Sequence, residues 1–111
     1  YEDWAEKSLK IVAEWQEKLP VDYFPHVSVG WDNNTRYPQE TKGHIDGSSP
    51  ELFKKYMRQA ISMAIGKCGS HRLVTVNSWN EWGEGSYLEP DTEDGFSYLE
   101  AIRDALAQFK Q

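Results

Sequence analysis

Glu81 and Glu84 are the residues of this chain best suited by type and spacing to do chemistry. They stand three apart in the stretch NSWNEWGEGSYLEPD, Asn77 to Asp91, with Trp82 and Gly83 between them. In a helical turn that spacing puts two side chains on one face, with Cβ atoms about 5–6 Å apart. Carboxylates that share a pocket drive each other's pKa values apart, leaving one ready to give a proton and one ready to take it. Breaking a glycosidic bond needs that division of labour. Gly83 and Gly85 permit a close backbone approach to a ligand, and Trp79 and Trp82 offer flat apolar platforms for sugar faces. The plainer reading is a turn with two exposed glutamates over packed tryptophans, and a Glu-x-x-Glu alone is too short to be selective. Its place directly after the apolar run RLVTV, with Asn77 and Asn80 flanking, brings the two readings about level.

A second group, Trp31, Asp32 and Asn33, ends an earlier apolar run and has the means to stack on and hydrogen-bond a sugar; an Asx-capped turn is the alternative. Asn80 and Tyr87 join Trp79 and Trp82 as sugar-contact candidates. Asp91, Glu93 and Asp94 lack the ligand spacing of a calcium loop, and an acidic helix N-terminus explains them more cheaply. His26, His44 and His71 lie far apart in the sequence and read as structural or solvated, with His44 the one to watch. Cys68 is single, so no internal disulfide is available, and an inert thiol is the default. No metal and no cofactor is expected.

The elements that must position these residues alternate in type. Asp3 to Leu19 reads as an amphipathic helix with Trp4, Leu9, Ile11, Val12, Trp15 and Leu19 near helical spacing, and Asp3 with Glu6 fits a capping box. Pro20 stops it. Val27 and Val29 alternate around Ser28, predicting a strand at about Pro25 to Gly30. Trp31 to Ser49 is a long polar loop, of a kind usually functional or disordered. Ser49-Pro50-Glu51 then starts a helix whose buried stripe is Leu52, Phe53, Tyr56, Met57, Ala60, Ile61, Ala64 and Ile65, with Gly66 and Gly69 as terminators. Leu73 to Val76 is the second strand, and a last helix runs from about Gly95 to Phe109, with Phe96, Leu99, Ile102, Leu106 and Phe109 on one side. Strands alternating with helices imply a parallel sheet. Long loops after the strands and tight links before them match consecutive units of a (β/α)8 barrel, which needs about 250 residues and keeps its active site in the loops after the strands.

The expectation is therefore an α/β chain: a C-terminal fragment of a TIM-type barrel, two parallel strands with flanking helices, in which residues 1–111 form a single segment. The 111 residues suffice for one modest unit, and 39% hydrophobic with 14% aromatic content argues for a folded core. Five tryptophans raise the prior for ligand recognition. A net charge of −6 without a basic cluster disfavours nucleic acid. No apolar run is long enough for a membrane-spanning helix, and the opening residues do not read as a signal peptide, which says nothing of location for a chain cut from something longer. The chain opens in a helical pattern without an initiator Met, which reads as a cut from something longer. Open strand edges make self-association of such a fragment an expected behaviour.

The stretch NSWNEWGEGSYLEPD, followed by GFSYLEA at Gly95 to Ala101, resembles the C-terminal signature of the WbsX-like proteins. That family is labelled as glycosyltransferases of surface-polysaccharide synthesis and is related to glycoside hydrolase family 99. GWDNNTRYP, Gly30 to Pro38, also resembles the family's WDNTPR segment, with Asn34 inserted and Tyr37 where a Pro-Arg run is expected. In family 99, of endo-acting α-mannosidases and α-mannanases, the corresponding Glu-x-x-Glu is the catalytic pair. The resemblance implies Glu81 as the base that deprotonates the sugar 2-hydroxyl, which then attacks its own anomeric carbon. It implies Glu84 as the acid that protonates the leaving oxygen and afterwards activates water. Retention without a covalent enzyme intermediate, and without a metal, would follow. The leading reading is thus hydrolysis of an α-linked, mannose-containing glycan by the longer protein, with an oligosaccharide or polysaccharide as partner. The alternatives are glycosyl transfer in surface-polysaccharide synthesis and a non-catalytic sugar-binding fragment. Two strands alone lack the other loops of a barrel site, so the isolated segment is expected to do no chemistry. Location stays open: secreted or periplasmic for hydrolysis, cytoplasmic for synthesis.

Overall fold

The first helix, α1 (Glu2–Lys18), carries Glu2 and Asp3 in its first turn and Lys18 in its last, the arrangement that its backbone dipole favours. Leu19 leaves the helix in extended conformation, its N–H still bonded to the Trp15 carbonyl at 2.9 Å, and Pro20 follows. This is a computed structural model that describes residues 1–37, 43–67 and 71–110. Cys68, Gly69 and Pro38, singled out in the sequence, lie outside the described residues. The expected capping box is not formed: Tyr1 is the N-cap without a side-chain bond, and Asp3 instead pairs with Lys7 one turn on, at 2.7 Å. The buried face of α1 is Ala5, Leu9 and Val12, narrower than the predicted stripe. Ile11, Trp15 and Leu19 are substantially exposed. Trp15 meets Tyr23 edge-on at 5.2 Å, and Gln16 donates to the Tyr23 carbonyl at 2.9 Å, which folds the chain after the helix back along it.

Strand β1 (His26–Ser28) pairs in parallel with β2 (Thr75–Asn77), in the register His26 to Thr75, Val27 to Val76 and Ser28 to Asn77. Both are shorter than the runs predicted, and among the described residues they pair with each other and with no further strand. The ladder reaches one residue further at each end through backbone bonds, Thr75 N–H to Pro25 at 3.0 Å and Val29 N–H to Asn77 at 2.9 Å. Alternation along β1 sends Val27 and Val29 into the core and leaves His26 on the opposite face, where its Nδ1 lies 2.8 Å from the Thr75 hydroxyl. His26 and Thr75 are exposed.

Helix α2 (Pro50–Lys67) connects the two strands. Its start is as the sequence predicts: the Ser49 hydroxyl accepts from the Leu52 N–H at 3.2 Å, with Pro50 at the first helical position. Such a cap is worth about 1 kcal/mol. Gly66 lies inside the helix rather than ending it. Phe53, Tyr56, Met57, Ala60, Ile61 and Ala64 are its buried face. Phe53 and Tyr56 are among the largest fully buried side chains, and each contributes about 1.5–3 kcal/mol of burial. Helix α3 (Ser97–Ala107) packs on α2 through a face of small residues, Ala101 and Ala105, so the two helices approach closely. The core joins these helices to Leu9 of α1, to Val27 and Val29, and to Leu88.

The segment after β2, expected to be loop, holds a further element. Strands β3 (Asn80–Glu81) and β4 (Ser86–Tyr87) form an antiparallel hairpin around a 3-10 turn at Trp82–Glu84. Two-residue strands are too short to show a period in sequence. The fold is thus a small mixed α/β unit of two parallel strands with flanking helices, and both long loops leave the same end of the strand pair. No helix among the described residues is long and apolar enough to cross a membrane.

Candidate functional site

Three side chains at the ends of β1 and β2 fix the hairpin to the sheet. Ser86, fully buried, donates its hydroxyl to the Gly30 carbonyl and accepts from Asn77 Nδ2 at 2.9 Å. The same Asn77 amide lies 3.3 Å from the Ser28 hydroxyl. Ser78 donates to the Ser86 carbonyl at 2.7 Å. The base of the hairpin closes where the Leu88 and Glu89 N–H groups both reach the Trp79 carbonyl at 3.0 Å, with Leu88 anchored in the core. Gly85 ends the 3-10 turn at φ +58°, the left-handed region open to glycine.

The first loop is laid over this turn. Asp32 N–H donates to the Glu84 carbonyl at 2.7 Å, and the Thr35 hydroxyl donates to the Gly83 carbonyl. Asp32 Oδ1 accepts from the Asn34 N–H at 2.9 Å, so an Asx turn shapes the loop. The Asn33 carbonyl accepts from the Arg36 and Tyr37 N–H groups, and Asn33 N–H donates to Gly43 at 2.6 Å. The inserted Asn34 reaches His44 Nδ1 at 3.2 Å, and His44 Nε2 lies 3.2 Å from Asp46 Oδ1.

Arg36 is thereby delivered onto the carboxylate pair. Its Nη2 lies 2.7 Å from Glu81 Oε1 and its Nη1 3.0 Å from Glu84 Oε1. The two glutamates do share one neighbourhood, but a guanidinium stands between them and compensates their like charges. Glu81 ends β3 and Glu84 ends the 3-10 turn, so a tight hairpin, not a helix face, brings them together.

The aromatic residues divide between two settings. Trp82 stacks on Tyr87 with ring centroids 3.7 Å apart and planes 12° apart, and its Nε1 donates to Glu89 Oε2 at 2.6 Å. One indole face is therefore covered by protein. Trp79 is 53% exposed. Trp31 lies lower, between two concavities. One, of about 210 Å³, is lined by Trp31, Asp32, Tyr87 and, from the last loop and α3, Asp91, Asp94 and Tyr98. The other, of about 240 Å³, lies beside β1 and includes Trp4, His26, Trp31 and Asn77. Trp31, Asp32 and Tyr87 thus share a hollow, while Glu81, Glu84, Trp79 and Trp82 line neither. Asn80 is exposed on the hairpin, paired in register with Tyr87, and Asn33 is half-buried.

Burial, reinforced by the hydrogen bond to Asp91 at 2.9 Å, pushes the Tyr87 phenol up to about 12. Asp91 in turn is held below the ordinary carboxylate range, first by the Asp94 N–H. Its Oδ1 accepts from the Glu93 and Asp94 N–H groups at 3.0 and 2.6 Å, so the acidic loop is an Asx turn that fastens the hairpin to α3. Tyr98, raised by burial, shares a 2.9 Å hydrogen bond with the Ser48 hydroxyl.

Sequence reasoning missed Ser86 and Glu89, and it weighed Arg36 only as a sugar contact of the first loop, not as the partner of Glu81 and Glu84. Arg36 carried a signal: it is a cation in a loop that must meet two glutamates once the strands are parallel neighbours. Ser86 carried none, since a lone serine beside glycine reads as turn.

A family model described as Glycosyltransferase WbsX matches residues 1–102. Two curated relatives, each called uncharacterized protein WxcX, come from Xanthomonas campestris pv. campestris, strains B100 and ATCC 33913. Each is 37% identical over 111 residues, covering 96% of this chain and 15% of its own length. The chain spans about 15% of the length of these relatives. No solved structure matches.

Proposed function

We propose that this chain, which belongs to the WbsX glycosyltransferase family, supplies the carboxylate-bearing wall of a carbohydrate site that transfers a sugar during polysaccharide synthesis. The observation that carries this reading is the pair Glu81 and Glu84, brought to one guanidinium at 2.7 and 3.0 Å on the loop after a parallel strand. In transfer, Glu81 takes the proton of the acceptor hydroxyl as that oxygen attacks the anomeric carbon of an activated donor. The bond from that carbon to the leaving group breaks with its electrons on the leaving group. Glu84 stands beside it to bind or protonate oxygen on the departing side. Trp79, the free face of Trp82, and the hollow of Trp31, Asp32 and Tyr87 receive the sugar rings, with Asn33 and Asn80 at the margins.

Hydrolysis of an α-linked, mannose-containing glycan is the second reading, drawn from the resemblance to glycoside hydrolase family 99. The acidic character of the segment favours it: Glu89 bonds Trp82 and Asp91 and Asp94 line the hollow of Trp31 and Tyr87, and carboxylates suit the hydroxyl donors of a neutral glycan. We also read β1 and β2 as adjacent strands of a (β/α)8 barrel. Their parallel register, the exposed face of His26 and Thr75 and the placement of the candidates after the strands support this.

The test uses the full-length protein with an activated donor and acceptor glycan, or with glycan and water alone. Glu81→Gln should reduce turnover about 10²–10⁴-fold, as expected for loss of a positioned base. Product formed only with donor and acceptor selects transfer, and product from glycan alone selects hydrolysis. Near-normal turnover by Glu81→Gln sinks both.

A further inference from the structure

We infer that Arg36 is the positioning residue of the carboxylate pair, setting the separation and orientation of Glu81 and Glu84, and is not a receptor for an anionic group of the substrate. This rests on the roles proposed for the two glutamates.

The geometry is that of a spacer. Two different nitrogens of one planar group each take one oxygen of a different glutamate, Nη1 that of Glu84 and Nη2 that of Glu81. Because the guanidinium is rigid, the two carboxylates cannot change their spacing without breaking one of these bonds. A lysine, with a point charge on a flexible stem, would hold one carboxylate at a time or both loosely.

The guanidinium also has a seat. A Cβ added at Gly83 would stand 2.9 Å from Arg36 Nε and 3.2 Å from Nη2. Gly83 is not among the residues with positive φ, so close approach, not backbone freedom, explains a glycine there. The neighbours of Arg36 hold its backbone over this seat: Thr35 bonds the Gly83 carbonyl and Asp32 bonds the Glu84 carbonyl. Two carbonyls and two carboxylates of the hairpin turn are thus met by one short loop.

The charge balance argues against an anion receptor. Arg36 with Glu81 and Glu84 carries a net charge of −1. On the same hairpin and its adjoining loops Asp32, Glu89 and Asp91 are engaged by neutral donors, Asn34 N–H, Trp82 Nε1 and the Tyr87 hydroxyl, and among the described residues no ion pair to a cation is formed by any of the three. An incoming phosphate or carboxylate would meet negative potential and would have to displace a glutamate. A neutral hydroxyl meets no such cost.

The experiment compares Arg36→Gln, Arg36→Ala, Gly83→Ala and the double variant Arg36→Gln/Gly83→Ala in the full-length protein. The expected result is a fall in kcat of about 100-fold for Arg36→Gln, since small misplacements of reacting groups cost that much. KM should stay within about twofold. Gly83→Ala should show the same pattern, and the double variant should be no worse than Arg36→Gln, because both changes remove one contact. Guanidinium ion should restore part of the activity of Arg36→Ala, which a merely structural role would not allow. A raised KM for an anionic donor at unchanged kcat, or additive losses in the double variant, overturns the inference. A readout without substrate separates it from the reading of function: the carboxyl 13C resonances of Glu81 and Glu84. Both should move in Arg36→Gln and neither in Lys54→Gln. Resonances that stay put refute the contact. Resonances that move, together with full activity of Glu81→Gln, leave the contact standing and reject the catalytic role.

Discussion

Replacing Gly85 by alanine tests the joint between the two loops, and Gly95 provides its control. Both glycines have φ in the left-handed region, +58° and +55°. A Cβ at Gly95 meets nothing within 4 Å, whereas one at Gly85 falls 2.9 Å from Asp32 Cβ and 3.3 Å from its nitrogen. For both, the left-handed conformation costs about 1–2 kcal/mol. Loss of unfolded-state freedom offsets about 0.4–1 kcal/mol of that. Gly95→Ala should therefore destabilise by about 1 kcal/mol or less. Gly85→Ala must in addition push Asp32 away, at about 1–3 kcal/mol for overpacking. The 2.7 Å bond from Asp32 N–H to Glu84 would go with it, at about 0.5–1.5 kcal/mol. The expected difference between the two variants lies near the middle of the summed range, about 2–3 kcal/mol, or roughly 30- to 150-fold in the unfolding equilibrium. Urea unfolding of both, with equal slopes, measures it directly: with a slope of about 1–2 kcal/mol/M the midpoints should differ by about 1–3 M. Equal midpoints would refute the claim that the loop at Asp32 presses on the turn.

Further outcomes follow from the same contacts. The Tyr87 phenol should stay protonated until pH about 12, read by its ultraviolet titration, and should ionise earlier once Asp91→Asn removes the adjacent charge. Because its folded value lies above the ordinary 10.0, the stability it contributes is complete below pH 10 and is lost as pH rises through about 12. Asp91 acts in the opposite direction: its carboxyl is lowered from 3.8, so its contribution is present above that pH and fades as pH falls below it. Ser86→Ala should cost about 0.5–1.5 kcal/mol in a denaturation experiment, since it removes the shorter of two hydroxyl donors to the Gly30 carbonyl and one acceptor of Asn77, while Ser28 remains at 3.2 and 3.3 Å from them. The segment expressed alone should associate in light scattering through its open strand edges, and a monodisperse monomer would count against that.

The sequence carried the helices and the parallel pair well, for identifiable reasons. Ser49-Pro50-Glu51 is a start signal written in side-chain chemistry, and the Ser49 hydroxyl meets the Leu52 N–H as that signal predicts. Val27 and Val29 alternate because one face of β1 meets the core. Where several partners compete, the local pattern failed. Asp3 chose Lys7 over a helix cap, and Trp15 chose the edge of Tyr23 over the core. The hairpin at Asn80 to Tyr87 left no pattern because its strands have two residues each and Ser86, which fastens it, is held by Gly30, more than fifty residues away. The pairing of Glu81 with Glu84 was legible from spacing, but their shared guanidinium depends on a loop that only the parallel register brings across.

That dependence has a consequence for synthesis of the chain. Arg36 and Glu84 are 48 residues apart, and His26 and Thr75, which set the strand register, are 49 apart. A growing polypeptide therefore exposes Arg36 long before its carboxylates exist. At about 5–20 residues per second, the delay is roughly 2–10 s. During that interval α1 and α2 have what they need locally, but β1 has no partner strand and the first loop has no turn to rest on. Closing so long a span is entropically unfavourable until the contacts that reward it are all present. Assembly of the acidic pair is thus vectorial: Leu88 must leave the ribosome and seat in the core before Arg36 meets either glutamate, so no nascent chain short of that length holds a formed site.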